Sequence, residues 1–214
     1  MATKSKSLAT TAADFLPERL NLTSLRHAAE GCQGCPLYQD ATQTVFGEGS
    51  RQAGIMLVGE VPGDQEDRQG RPFVGPAGKL LDKALEEVDL SRKEVYMTNA
   101  VKHFKFEERG KRRLHKKPNR TEIVSCRAWL EAEIQVVEPK VIVCLGATAA
   151  QSLLGAGYRI TKQRGQWVSN PWAPWLTATW HPSAVLRAPS PEDRQRMRDT
   201  LVEDLRQAVE KREA

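Results

Sequence analysis

One histidine in this sequence stands inside a run of positive charge. The segment from Gly110 to Pro118 reads GKRRLHKKP, so five Lys or Arg residues surround His115. Seven of the twelve residues from Arg109 to Arg120 are Lys or Arg and none is acidic, which indicates a polyanion as partner. His115 is then either one more polar residue of a DNA-contacting loop or the reactive group that the loop delivers. A plain solvated loop is the third alternative.

The four cysteines raise the question of a metal site. Cys32 and Cys35 form the motif CQGC, while Cys126 and Cys144 lie far downstream. The polar N-terminal stretch lacks the apolar run of a secretory signal, so we expect an intracellular chain, in which structural disulfides are disfavoured. On spacing alone a redox pair, zinc and an iron–sulfur cluster all stay open. Cys144, inside KVIVCLG, is typical of a buried apolar residue, and His103 is the nearest candidate for a further ligand.

Apolar patterns alternate between strands and helices along most of the chain. The predicted strands are Gly54–Val58, Val95–Val101, Lys140–Leu145 and Trp175–Thr179, and the predicted helices are Ala77–Val88, Arg120–Val137 (with Thr121 as N-cap), Ala147–Leu154 and Glu192–Arg212. This order predicts an α/β protein, a three-layer sandwich with a mostly parallel central sheet flanked by helices.

Polar segments follow three of the predicted strands. They are Gly59–Asp67, Asn99–His103 and His181–Ser183. Because ligands of parallel sheets bind beyond the carboxyl ends of the strands, we expect these segments to form the site.

Length and composition indicate one globular domain. The 214 residues are 40% hydrophobic and 28% charged, with a net charge of +5. No apolar run approaches the roughly 20 residues of a membrane span. We expect residues 1–18 to be a disordered tail and residues 19–214 to form a single domain with an inserted basic loop at 105–120.

Four motifs together resemble one family. GEVPGDQED (Gly59–Asp67), GRPFVGPAGKLLD (Gly70–Asp82), YMTNAVKHFKF (Tyr96–Phe106) and HPSAVLR (His181–Arg187) are similar, in order and spacing, to the iron–sulfur uracil-DNA glycosylases, family 4 and its relatives. The resemblance covers nearly the whole chain from CQGC onward. It implies a uracil-DNA glycosylase fold, uracil-containing DNA (single-stranded, and double-stranded as well) as substrate and free uracil as product. It also implies a monomer in the bacterial cytoplasm, associated with the nucleoid.

The resemblance assigns a role to several residues. Gly59, Phe73, Asn99 and His181 would contact the flipped uracil: Phe73 by stacking, Asn99 at the base edge, and His181 by stabilising charge on O2. Since Asn carries both an acceptor and donors, it suits the Watson–Crick edge of uracil. Without the motif match, Phe73 is a core residue, Asn99 a turn residue and Arg187 a solvated arginine.

The basic loop resembles the X-type branch of the family, whose signature is KRR-Ile/Leu-H. In that branch the loop histidine bonds covalently to the deoxyribose after uracil is removed, and here it is His115. Glu60 is the candidate carboxylate that stabilises this step or accepts the proton. The predicted DNA contacts are Lys111, Arg112, Arg113, Ser183 and Arg187. An ordinary glycosylase that turns over and a non-catalytic DNA-binding relative are the alternatives.

Two further implications concern Val61 and the metal. The X-type motif usually has glutamine where Val61 stands, so any hydrogen bonds of that amide are missing. The family's cluster ligands correspond to Cys32, Cys35, His103 and Cys126, with histidine in place of one cysteine. The resemblance therefore implies a [4Fe–4S] cluster.

Overall fold

A central sheet organises the molecule. The computed structural model describes residues 10–214. The strands are β1 (Ile55–Gly59), β2 (Val95–Asn99), β3 (Phe106–Arg109), β4 (Arg112–His115), β5 (Val141–Leu145), β6 (Val168–Asn170) and β7 (Ala173–Thr179). The sheet has the order β2, β1, β5, β7, β6, in which the first four strands are parallel and β6 is antiparallel to β7.

Helices cover both faces of this sheet. They are α1 (Leu22–Glu30), α2 (Asp64–Gln69), α3 (Pro76–Glu86), α4 (Arg120–Val137), α5 (Ala147–Leu154), α6 (Ile160–Gln163), α7 (Pro182–Leu186) and α8 (Pro191–Glu213). Strand side chains alternate between the faces, so Met56 and Val58 pack against α4 and α5, while Ile55 and Leu57 pack against α3 and α8. The predicted three-layer α/β sandwich is confirmed.

The connections create a crevice at the carboxyl ends of β1 and β5. From β1 the chain continues to β2 on one side, and from β2 it passes back over β1 to β5 on the other side. Such a reversal of strand order opens a gap in which α/β proteins bind their ligands. The segments that begin at Gly59, Asn99 and His181 all leave the sheet at this edge.

Three local predictions differ from the structure, and they concern the N-terminal tail, the N-cap of α4 and the basic loop. Residues 12–15 of the predicted disordered tail form a 3-10 helix, and Ala12 is buried against the cluster that contains Leu25 and Trp129; residues 1–9 lie outside the described part. The N-cap of α4 is Asn119, not Thr121, because Asn119 Oδ1 accepts a hydrogen bond from the Glu122 amide at 2.9 Å.

The predicted basic loop contains a β-hairpin. β3 and β4 pair in antiparallel register, with Phe106 opposite His115, and Gly110 makes the turn with φ of +60°. The charged sequence of these strands lacks the apolar alternation that indicates a strand, which is why the hairpin was not predicted. Separately, no helix of residues 10–214 combines the length and apolar character needed to cross a membrane.

A buried ion pair holds the end of β2. Lys102 and Glu133 are both fully buried, and Lys102 Nζ donates to Glu133 Oε2, to Thr98 Oγ1 at 2.6 Å and to the Asn99 carbonyl at 2.7 Å. Glu133 also accepts hydrogen bonds from the Tyr96 hydroxyl and from the Gly47 amide, both at 3.0 Å. Every charged atom of the pair thus has a partner, as charges removed from water require.

We expect Glu133→Gln to be strongly destabilising, because it leaves the Lys102 ammonium in the core without its counter-ion. The expected loss in the free energy of unfolding is about 3–5 kcal/mol by urea titration. Glu131→Gln is the matched control on the same helix: its pair with Arg127 is 41–43% exposed, so its loss should cost below about 1 kcal/mol. Equal losses for the two variants would contradict a charged Lys102.

Candidate functional site

Because Gly59 has no side chain, those of Asn99 and Phe73 can approach each other at the end of β1. Gly59 lies opposite Asn99 in the sheet register. A Cβ on Gly59 would overlap Asn99 Oδ1 and Phe73 Cζ, so only glycine lets the amide and the ring approach this closely. Three of the four residues predicted to contact the base, Gly59, Phe73 and Asn99, are therefore adjacent.

A cavity of about 410 Å³ opens beside these residues. Phe73, Asn99, His115 and His181 all line it. The ring centroids of Phe73 and His181 are 6.3 Å apart at an interplanar angle of 31°. An aromatic face, an amide and two imidazoles suit a flat ring that carries both hydrogen-bond donors and acceptors.

Phe73 is held in a strained conformation. Its φ is +54°, which is uncommon for a residue other than glycine. Arg92 fixes this turn, because its guanidinium donates to the Phe73 carbonyl at 2.8 Å and to the Pro72 carbonyl. A strained backbone of this kind persists only where its surroundings over-determine it.

A buried carboxylate, which the sequence analysis missed, shapes the same wall of the cavity. Glu66 accepts hydrogen bonds from the backbone N–H groups of Val74 at 2.9 Å, Gly75 at 2.7 Å and Gly63 at 3.2 Å. It therefore ties the Phe73 turn to the segment that follows β1. The only sequence signal was the acidic pair of Glu66 and Asp67 within a glycine-rich motif.

His181 is positioned as a neutral hydrogen-bond donor. Its Nδ1 accepts the Ser183 N–H at 3.0 Å and lies 2.7 Å from Ser183 Oγ, so the ring carries its proton on Nε2. Burial lowers the pKa of His181 to about 4, and the charges of Arg187 and His115 act in the same direction. Ser183, a predicted DNA contact, thus orients His181 in this structure.

Arg113 anchors the hairpin to the rest of the protein. Its Nε donates to Asp64 Oδ1 at 2.6 Å and its Nη1 to Asp67 Oδ2 at 2.7 Å, while the guanidinium lies 5.0 Å from the centroid of the Phe106 ring. The side chain is only 14% exposed. Two of its donors, on Nε and Nη1, thus bind carboxylates in this structure, and the contact of Arg113 with DNA stays a prediction.

Strand geometry then places His115 at the cavity. Residues two apart on a strand share a face, so His115 follows Arg113 toward the body of the protein, with its ring centroid 6.1 Å from that of Phe104. Desolvation lowers the pKa of His115, although Glu60 opposes this shift. His115 is exposed at the end of β4, and the lowered pKa favours the neutral imidazole, which has a nitrogen lone pair available.

A second cavity lies on the other side of His115. It measures about 210 Å³, and its lining includes Glu60, Trp180 and Arg187 together with His115 and His181. Glu60 lines this cavity and not the larger one, which places the predicted catalytic carboxylate behind the histidine. Trp180 was missed in the sequence because a tryptophan at a strand end is commonly a core residue.

The remaining predicted contact residues fall into two groups. Lys111 and Arg112 are exposed at the hairpin turn, and neither forms an ion pair within residues 10–214. Arg187 is exposed and lines both cavities. Val61 is 7% exposed and packs in the cluster that contains the three predicted cysteine ligands, so a glutamine here would bury an amide among apolar side chains.

Three of the cysteines meet in one buried cluster beneath α1. Cys32, Cys35 and Cys126 pack there, and Cys144 lies apart in the core of β5. Sulfur atoms in this cluster accept hydrogen bonds: Cys32 from Trp129 Nε1 at 3.2 Å, and Cys126 from the Lys102 N–H at 3.3 Å. Burial raises the pKa of Cys126 to about 12, and the neighbouring thiols add to this effect.

His103 presents a free nitrogen in the same region of the fold. The Thr44 hydroxyl donates to the Ala29 carbonyl at 2.7 Å, so at 2.9 Å it accepts the proton of His103 Nε2. His103 Nδ1 is buried without a hydrogen-bond partner, and such an atom is unfavourable unless it binds something.

These residues are of the types that hold an iron–sulfur cluster. Within residues 10–214, no three His, Cys, Asp or Glu side chains are arranged to hold one metal ion. Cys thiolates, and His in some centres, are the usual ligands of such clusters. Three buried thiols and one imidazole nitrogen without a partner fit that donor set.

Comparison with known proteins identifies relatives over most of the chain. The sequence model of the Uracil DNA glycosylase superfamily matches residues 46–206. A Type-4 uracil-DNA glycosylase of Thermotoga maritima is 39% identical over 178 residues, which cover 83% of this chain and 87% of the relative. The Type-4 enzyme of Sulfurisphaera tokodaii is 36% identical over 198 residues, or 89% of this chain and 84% of the relative.

We expect Arg113→Ala to loosen the hairpin, because the variant removes charge-assisted hydrogen bonds and leaves the fully buried Asp67 without its cation. Each such bond is worth about 1.5–3 kcal/mol, so backbone amides of residues 106–115 should exchange hydrogen at least about tenfold faster. Arg112→Ala is the control on the exposed face of the same strand. Unchanged exchange in Arg113→Ala would show that the ion pairs do not hold the hairpin.

Proposed function

The chain belongs to the Uracil DNA glycosylase superfamily, and we propose that it excises uracil from DNA and then bonds through His115 to the deoxyribose that remains. One observation carries this proposal: the hairpin places His115 in the lining of both cavities, and in the larger one it stands with Phe73, Asn99 and His181. A histidine that served only to contact phosphate would have no need of this position.

The larger cavity would receive the flipped uracil. Base flipping costs a few kcal/mol of unstacking, which contacts in the pocket must offset. Phe73 would stack on the base, and the Asn99 amide would pair with its edge. Lys111, Arg112 and Arg187 would contact the DNA backbone, with the protein acting as a monomer.

His181 would assist cleavage of the glycosidic bond. When the bond between C1′ and N1 breaks, its electron pair leaves with uracil and negative charge grows on O2. The Nε2–H of a neutral His181 would donate to that oxygen, and the interaction strengthens as the charge develops. The deoxyribose is left as an electron-poor, oxocarbenium-like sugar.

His115 would then capture the sugar. An imidazole nitrogen lone pair forms a bond to C1′, and the ring's remaining N–H proton passes to Glu60 or to water. Uracil leaves as the anion and takes a proton from solvent. In the alternative reaction Glu60 activates a water molecule, which attacks C1′ and releases abasic DNA; that reaction turns over and leaves His115 a bystander.

We further propose that Cys32, Cys35, His103 and Cys126 hold a [4Fe–4S] cluster. Bound there, the cluster would supply iron–ligand bonds between segments distant in the sequence. The backbone N–H of Lys102 already donates to Cys126 Sγ, and Lys102 Nζ contacts the carbonyl of Asn99. The role that these contacts support is structural: the ligands would steady the end of β2, which carries Asn99.

A covalent product distinguishes the two reactions. With uracil-containing single-stranded DNA we expect a complex that survives heat and SDS on a denaturing gel, and none with thymine-containing DNA. His115→Ser should abolish the complex but still release uracil, because Phe73, Asn99, His181 and Glu60 remain. His27→Ser is the control, since His27 is an exposed histidine on α1.

The two possible failures have different meanings. Abasic DNA as the dominant product of the unaltered protein, with no retained complex, would establish the reaction that turns over. A complex that persists in His115→Ser would assign the covalent bond to another residue.

For the cluster, we expect brown protein with broad visible absorption and about four irons per chain by metal analysis. Cys32→Ala or Cys126→Ala should lose iron and colour, because each removes one ligand. Cys144→Ala is the matched control: this cysteine is equally buried but lies in the core of β5, so the variant should keep its iron. Zinc in place of iron, or iron lost only from Cys144→Ala, would contradict this ligand set.

A further inference from the structure

Trp180, which lines the second cavity, does not belong to the apolar core. Among residues 10–214 there are five tryptophans; Trp129, Trp167, Trp172 and Trp175 pack in or against the three apolar clusters, and Trp180 belongs to none of them. The first three of these four also donate their indole N–H to protein acceptors, which Trp180 does not. A partly exposed indole whose N–H has no protein acceptor can bind a ligand with both its ring and its donor.

Trp180 lines the second cavity, whose wall is chemically mixed. Ile160 and Ala184 add apolar surface, Arg187 adds a cation, and Glu60 is the one acidic residue among the lining residues. This cavity shares Val61, His115, His181, Ser183 and Arg187 with the larger cavity. A molecule that fills both cavities would therefore pass alongside His115, which lines both.

Exposed cations lie near the second cavity in the sequence. Arg159 and Lys162 stand on either side of Ile160, which lines that cavity, and both are exposed. Together with Arg187 they form no ion pair within the described residues, whereas Arg113, Arg92 and Arg71 are all paired with carboxylates. Cations without carboxylate partners near a solvent-accessible aromatic ring are usual features of a single-stranded nucleic-acid site.

We propose that the second cavity is a subsite for the nucleotide next to the flipped uridine on the same strand, and that its base stacks on Trp180. The proposal rests on the proposed function, because the uridine must occupy the larger cavity. Arg159, Lys162 and Arg187 contact the phosphates on this side, and the indole N–H of Trp180 is available to a base or phosphate oxygen. Any base suits the site, because every base has an aromatic face.

A stacking contact of this kind strengthens binding without acting on the reacting bond. It is made equally in the ground state and in the transition state, so it lowers the enzyme concentration needed for half-maximal rate and leaves the maximal rate unchanged. This separates Trp180 from His181, its neighbour in sequence, whose loss would lower the maximal rate.

The test uses short single-stranded oligonucleotides with one uridine. In one substrate the 5′ neighbour is replaced by a base-free tetrahydrofuran residue, and in another the 3′ neighbour is replaced. Uracil release is measured in single turnover with the full-length protein in excess, over a range of protein concentrations. The proteins are the unaltered chain, Trp180→Ala, Trp180→Phe and, as control at the other end of the same strand, Trp175→Ala.

For the unaltered protein we expect one of the two base-free substrates to raise the half-saturating concentration roughly tenfold. Trp180→Ala should raise it by a similar factor with the intact oligonucleotide, and removal of that base should then have no further effect. Trp180→Phe should keep most of the affinity, because phenylalanine still stacks. Trp175→Ala should respond to the missing base as the unaltered protein does.

Several outcomes would overturn the subsite. The proposal fails if neither missing base affects the unaltered protein, or if the missing base costs Trp180→Ala as much as it costs the unaltered protein. The first comparison needs no variant, so it decides the matter even if Trp180→Ala folds poorly. Absence of uracil release from the intact oligonucleotide would instead overturn the proposed function, and the subsite with it.

Discussion

The buried pair of Lys102 and Glu133 links the parts of this protein that do chemistry. Lys102 Nζ holds the carbonyl of Asn99, and Glu133 brings in α4 and the backbone of Gly47. The Lys102 N–H also contacts Cys126, so one residue touches both Asn99 at the end of β2 and the cysteine cluster. Charges removed from water need a full set of hydrogen-bond partners. This requirement holds the end of β2 in one conformation.

The carboxylates that follow β1 have different hydrogen-bond partners. Glu66 binds three backbone amides and shapes the Phe73 turn, whereas Asp64 and Asp67 bind Arg113 and hold the hairpin. Glu60 differs from them, because no hydrogen-bond partner within residues 10–214 occupies it and it lines the cavity behind His115. This difference is consistent with the proposal that Glu60 acts in the reaction while the other carboxylates hold the backbone and the hairpin.

Competition between histidine and water is the central physical question for the reaction. Both would attack the same carbon, and the outcome depends on which stands closer when the glycosidic bond breaks. Arg113, two residues before His115, anchors the hairpin through its ion pairs. His115 would therefore lose less conformational entropy when it attacks the sugar. In the proposed covalent reaction, Arg113 would thus act by holding the hairpin. Val61, buried beside the cysteine cluster, acts by packing and not by hydrogen bonding.

The sequence by itself determined the layers of the fold and the family to which the chain belongs. Apolar periodicity placed α4 and α5 at their observed bounds, since a buried helix must repeat its apolar face. Only the tertiary structure decided the partners of the charges. Arg113 resembles Arg112 in sequence, yet one is buried against Asp64 and Asp67 and the other is exposed, because successive residues on a strand face opposite sides. The roles of Glu66 and Trp180 likewise depend on segments far apart in the chain, which local pattern cannot reveal.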